Sequence, residues 1–132
     1  MKKNGLLNYE LNNLISKMGH KDMMTICDAG FPIPDDSNRI DFALKRGVPK
    51  FIEILESILE ELVIEQVILA DEIKVENDRL HKEILTTLGD DIPISYYSHE
   101  KFKELSRKSK GIVRSGEVVP YANIILVSGV NF

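Results

Sequence analysis

The chain contains one cysteine, Cys27, and no tryptophan. A lone thiol can neither close an intramolecular disulfide nor build a thiolate-rich metal site, so packing alone must hold this fold. Basic charge is also scarce, with 17 Lys and Arg against 21 Asp and Glu and a formal net charge of -4. That balance argues against nucleic acid, which needs a basic face to neutralise phosphates. The locally basic stretch Lys101–Lys110 is interrupted by Glu104 and preceded by Glu100, and reads as a solvated helix face. No run approaches the roughly 20 apolar residues that span a bilayer. The segment Met1–Leu7 has positive charge but no apolar stretch of signal-peptide length, so the expected location is the cytoplasm, with no membrane partner. His20, His81 and His99 share no metal-ligand spacing, and Asp35, Asp36 and Asp41 lack the alternating oxygens of a calcium loop. Residues 111–116 lack the glycine pattern of a nucleotide site. No metal or cofactor is expected.

What is present is ordinary globular material: 43% hydrophobic and 29% charged residues over 132 positions, enough for one domain spanning 1–132. Asn8 can cap a helix whose apolar positions Leu11, Leu14, Ile15 and Met18 follow helical spacing, with Gly19 closing it as a C′ residue. Residues 23–27 read as a short buried strand ending at Asp28. The segment Asp28–Asp36 holds two prolines and a glycine and cannot be regular structure. Ile40–Leu44 is a second strand candidate. Pro49 suits a helix start, followed by Ile52, Leu55, Leu59 and Leu62 on one face. Val63–Ala70 is nearly all apolar and suits a central strand covered on both sides. Asn77 can cap a helix through Leu80, Ile84, Leu85 and Leu88, stopped by Gly89. Ile94–Tyr97 reads as a strand and Ser98 as the cap of a short helix carrying Phe102 and Leu105. Ile112–Arg114 and Asn123–Val127 are the last strands. The alternation predicts an α/β fold in three layers. Two late strands separated by only a turn predict a central sheet that is mixed, though mostly parallel, flanked by helices.

Four stretches stand out in order: Lys2–Asn8, Gly19-His20, Asp28-Ala29-Gly30-Phe31-Pro32-Ile33-Pro34, and Arg114–Glu117 running into Pro120–Leu126. In this order and spacing the chain resembles, along its whole length, the D-ribose pyranase family, whose sister group is the L-fucose mutarotases. The resemblance implies an isomerase that interconverts ring forms of free D-ribose without a cofactor. It implies an α/β subunit assembling into pentameric rings that stack as decamers, with active sites at subunit contacts. It implies His20 as the catalytic acid/base, and Asp28, His99, Tyr121, Ala122 and Asn123 as sugar-binding positions.

The chemistry fits those residue types. Changing ring size opens a hemiacetal and recloses it through another hydroxyl, which needs proton transfers and no redox step. A group titrating near neutrality, as histidine does at about 6.5, is suited to this work. His20 follows a helix C-terminus, where exposed carbonyls favour a cation, and His99 opens a helix, where exposed N–H groups disfavour one. His20 is therefore expected to donate the proton to the ring oxygen, while neutral His99 bonds a sugar hydroxyl. Bland alternatives stay open. His20 could simply face the helix end, Asp28 could cap its own turn, and Tyr121 and Asn123 could mark a strand entry. His81 reads as structural, Cys27 as a buried small hydrophobe, and Arg114 with Glu117 as an ion pair. The terminus Val127–Phe132 is expected to pack against its own or a neighbouring subunit. Competing functions are an L-fucose mutarotase, a non-catalytic sugar-binding accessory of a transporter, and a purely structural ring.

Overall fold

A computed structural model describes all residues, Met1–Phe132. A six-stranded sheet runs β2 (Arg39–Asp41), β5 (Gly111–Arg114), β1 (Met23–Cys27), β6 (Ile124–Ser128), β3 (Ile64–Ala70), β4 (Ile94–Tyr97). β5 lies parallel to β1 and β2, and β4 parallel to β3, while β6 lies antiparallel to both β1 and β3. The sheet is mixed and mostly parallel, as expected, but for another reason. β5 and β6, the strands with only a turn between them, are not neighbours; β6 inserts between β1 and β3 instead. The fully buried centre is therefore β6 rather than β3, which sits one strand from the edge.

Alternation along each strand builds two cores. Met24, Ile26, Val67, Leu69, Ile124 and Leu126 face one side. There they meet α1 (Tyr9–Lys17), α2 (Phe51–Leu59), the short α3 (Ile73–Glu76) and α4 (Asp78–Leu88) through residues such as Leu14, Leu55, Ile73 and Ile84. Cys27, Ile68, Ala70, Ile112 and Ile125 face the other side, against Phe102 of α5 (His99–Ser106) and Phe31 and Ile33 of the proline loop. Phe102 is fully buried, worth on the order of 2–3 kcal/mol, and is the main anchor of α5.

The helix starts follow the sequence signals. Asn8 Oδ1 accepts from Leu11 N at 2.8 Å, Asn77 Oδ1 from Leu80 N at 3.3 Å, and Ser98 Oγ from Lys101 N at 3.2 Å. Three expectations need correction. α2 begins after Pro49, at Phe51, because the Glu53 carboxylate accepts the Lys50 N–H at 2.7 Å and sets the first turn there. β2 ends at Asp41, beyond which the chain turns through the Lys45–Val48 bridge. Gly19 follows an extended C-cap, Met18, but is not left-handed. Its N–H bonds the Asp22 carboxylate at 2.7 Å, and the positive φ of the turn, 70°, falls on Lys21. The Lys101–Lys110 stretch is solvated as expected, with Lys101 and Lys103 paired to Glu104 and Glu100. No helix is long and apolar enough to cross a membrane.

Candidate functional site

Strand direction decides where the chemistry gathers. β1, β3, β4 and β5 all point the same way, so their carboxyl ends meet the amino end of β6 at one edge of the sheet. Asp28 follows β1, His99 follows β4, and Tyr121, Ala122 and Asn123 lead into β6. Ligands of open α/β sheets bind at this edge.

The residues there are tied together. Asn123 is buried, and its Oδ1 accepts the Asp28 N–H at 3.0 Å. Its Nδ2 is buried without a hydrogen-bond partner, and so is His99 Nδ1. Unpartnered buried donors and acceptors are rare and costly, on the order of 1–3 kcal/mol each, and mark a place where a ligand can supply the missing bond. Tyr121 stands edge-on to the His99 ring at 5.2 Å, Phe31 does so at 6.2 Å, and Phe102 lies parallel to it at 6.4 Å. Tyr121 holds φ at 58°, an uncommon value for a side chain of this size and a form of strain found at ligand clamps. Asn77 Nδ2 grips Pro120 O at 2.7 Å, and Asn123 N bonds Tyr121 O at 2.8 Å, which together fix the bend.

Asp28 serves its own turn through Oδ1, which accepts the Gly30 N–H at 2.9 Å, and leaves Oδ2 without a bond in the chain. Arg114 does not pair with Glu117. Its guanidinium reaches Asp41 at 2.9 Å and Ala29 O at 3.0 Å, while Glu117 Oε1 accepts the neighbouring Val118 N–H. β2 and β5 run side by side and bring Asp41 opposite Arg114, which is why the arginine finds that partner first. Phe31, to which the sequence assigned no role, is one wall of the His99 cage.

His20 is elsewhere. It precedes β1 while Asp28 follows it, so the five-residue strand, roughly 16 Å long at about 3.3 Å per residue, separates them. Its turn is docked to the far end of β6 by Lys21 N to Ser128 O at 2.9 Å and Ser128 N to Asp22 O at 2.8 Å. His20 lines a cavity of about 290 Å³ with Met18, Leu62, Gly129, Val130 and Phe132. Its Nε2 lies 2.8 Å from Glu65 Oε2, and the Lys21 ammonium pairs with Oε1. Lys21, then His20, holds the Glu65 carboxyl below its usual range. Glu72, also unassigned from sequence, accepts the His99 N–H with both carboxylate oxygens at 3.0 Å. The two histidines thus each have a carboxylate close by, one on the ring and one on the backbone.

His81 is structural: partly buried, with Nε2 2.7 Å from Tyr96 Oη. Burial pushes the Cys27 thiol well up, leaving it an inert core group. Val127 is buried, whereas Val130 and Phe132 are exposed.

The chain is thus a small mixed-sheet α/β domain with unpartnered polar groups at one edge of its sheet and a histidine–carboxylate pair at the opposite edge. The chain is a member of the RbsD / FucU transport protein family, whose model matches residues 1–131. It is 48% identical over 132 residues to a D-ribose pyranase of Geobacillus thermodenitrificans, covering 100% of this chain and 99% of that one. It is 42% identical, with a TM-score of 0.96 and full coverage of both chains, to Bacillus subtilis RbsD complexed with D-ribose. A fucose mutarotase from Streptococcus pneumoniae in complex with L-fucose is more distant, at 27% identity and a TM-score of 0.74, covering 96% of this chain and 95% of that one.

Proposed function

We propose that this chain, acting over 1–132 as one D-ribose pyranase-like domain, interconverts the pyranose and furanose forms of free D-ribose by general acid–base catalysis. The reading rests above all on the two unpartnered buried nitrogens, His99 Nδ1 and Asn123 Nδ2, at the sheet edge of a chain so similar to a ribose-bound relative. They offer hydrogen bonds that sugar hydroxyls would complete, with Tyr121 supplying a flat face and Ala122 close backbone. The higher identity and TM-score to the ribose complex than to the fucose complex favour ribose over L-fucose.

In this mechanism the anomeric hydroxyl loses its proton to a basic oxygen, Asp28 Oδ2 or water. The His20 imidazolium gives a proton to the ring oxygen, the bond from that oxygen to the anomeric carbon breaks, and an aldehyde forms. Rotation presents the other hydroxyl to the carbonyl carbon. The reverse transfers close the smaller ring and return both protons. A positioned acid/base of this kind contributes about 10²- to 10⁴-fold.

His20 and the Asp28–His99–Tyr121–Asn123 edge lie at opposite ends of a strand, so one copy cannot bring them to one sugar. We infer that His20 of a neighbouring copy completes the site, within the pentameric rings stacked as decamers that the resemblance to the ribose pyranase family implies. Exposed Leu44, Val75 and Phe132 offer apolar surface for such contacts. The enzyme works in the cytoplasm on sugar that has entered the cell.

Saturation-transfer NMR on D-ribose at equilibrium tests the reading. Protein-dependent exchange between pyranose and furanose signals, lost in His20→Ala, is expected. Ribose binding by an assembled protein without added exchange would reassign it as a non-catalytic sugar-binding accessory. Assembly with no sugar binding would leave a structural ring.

A further inference from the structure

His20 sits on an exposed turn, with its side chain 51% accessible and its Nε2 hydrogen-bonded to no side chain but that of Glu65. An imidazole on such a turn would otherwise sample several orientations and both neutral tautomers. Glu65 is placed unusually for the purpose. In the β3–β6 ladder Ile64 pairs with Ser128 and Gln66 with Val127, so Glu65 is the extra, unpaired residue of a bulge. Bulges re-aim a side chain, and they concentrate next to active sites. The facing chain accommodates it with Gly129, where an added Cβ would meet Glu65 Cβ at 3.2 Å and Val63 Cγ1 at 3.3 Å. Gly129 N donates to Val63 O at 2.8 Å and closes the bulge.

We infer that Glu65 is a positioning residue for the isomerase: it accepts the Nε2–H of His20, fixes the ring, and leaves Nδ1 as the atom that exchanges protons with the sugar. The inference rests on the isomerase reading above. The balance is simple. Nδ1 gives its proton to the ring oxygen on opening and regains one on closure, while the Nε2 proton never leaves its nitrogen. Glu65 remains a carboxylate throughout and stabilises the imidazolium by charge. Its pair with Lys21 keeps it ionised and limits its own freedom.

The experiment combines ring-exchange kinetics, ribose affinity and imidazole ¹⁵N NMR. In the unsubstituted protein without sugar, at mildly alkaline pH, neutral His20 should be a single tautomer protonated at Nε2; protonation at Nδ1 would overturn the proposal with no variant needed. Glu65→Ala should slow exchange at saturating ribose roughly ten- to a hundredfold, part of what a general acid supplies. Ribose affinity should stay within about threefold, the signature of a group acting after binding. Glu65→Gln, whose amide oxygen still accepts from Nε2–H, should recover much of the rate. Adding Glu65→Ala to His20→Ala should cost nothing further, because Glu65 acts through His20. Full exchange in Glu65→Ala, loss of affinity alone, or independent losses in the double variant would overturn it. Absence of exchange in the unsubstituted protein would instead overturn the isomerase reading, and the tautomer result is read separately.

Discussion

Two glycines of the stretches that stand out in the sequence, Gly116 and Gly30, look alike there and should behave very differently. A Cβ added at Gly116 would run into the Val48 carbonyl, with its carbon 2.5 Å and the Val48 nitrogen 2.7 Å away. All are backbone atoms that cannot step aside. Gly116 also donates to Pro49 O at 2.8 Å and accepts from Gly47 N at 2.7 Å. Overpacking costs about 1–3 kcal/mol, and two disrupted backbone bonds about 1 kcal/mol each. Gly116→Ala should therefore lose roughly 3–5 kcal/mol. With about 2.1 cal/mol/K of unfolding entropy per residue, a chain of 132 residues melts roughly 11–18 °C lower for that loss. The damage reaches the sugar edge, because the next residue, Glu117, accepts Ala29 N at 2.8 Å beside Asp28. Ribose affinity should fall as well. At Gly30 an added Cβ meets only Asp28 Oδ1, at an ordinary 3.5 Å, and Gly30→Ala should stay within about 1 kcal/mol of the parent. Thermal melts at matched protein concentration, with ribose titration calorimetry, check both. A Gly116→Ala protein melting within a few degrees of the parent, or equal damage from Gly30→Ala, would refute the reasoning.

Three other outcomes are expected. Ser115→Ala removes a buried hydroxyl that donates to Cys27 O at 2.7 Å and accepts from Glu117 N at 3.2 Å, and should cost about 1–3 kcal/mol in denaturant unfolding. Cys27 should resist thiol reagents in the native state and react only on unfolding, since burial suppresses its thiolate; rapid native labelling would contradict this. Burial lowers the His81 pKa below its ordinary 6.5, so the unfolded chain takes up this proton first. Its contribution is intact above that value and is lost as pH falls through it. The drop in the urea midpoint from neutral to mildly acid solution should be smaller in His81→Gln than in the parent.

Much of the fold could be read from the residues because local signals agreed with the packing. The Asn77–Leu88 helix is an example: a capping asparagine, apolar residues on one face and a terminating glycine all mark the same boundaries. Strand order could not be read, since nothing in Ile124–Ser128 announces that it will enter between β1 and β3. The short α3 has too few residues to show a period. At the site, the residues that meet at the carboxyl edge follow from strands ending at Cys27 and Tyr97. The separation of His20 was missed: Asp28 was open to orienting it, although five strand residues lie between the two. Glu65 was hidden inside a stretch judged by its apolar majority. The signal was Glu65-Gln66, two polar residues interrupting that run, where a bulge rather than a regular strand was needed. Glu72 gave no signal at all, because its partner is the backbone of a residue 27 positions away.

The central claim is that one copy supplies His20 and another the Asp28–His99–Asn123 edge. Co-expressing His20→Ala with Asn123→Ala chains, each inactive alone, tests it directly through ribose ring exchange in the mixed assemblies. Random mixing leaves about a quarter of the contacts with both halves intact, so exchange should return to about a quarter of the parent rate. Mixed assemblies as silent as either variant alone would contradict the shared site.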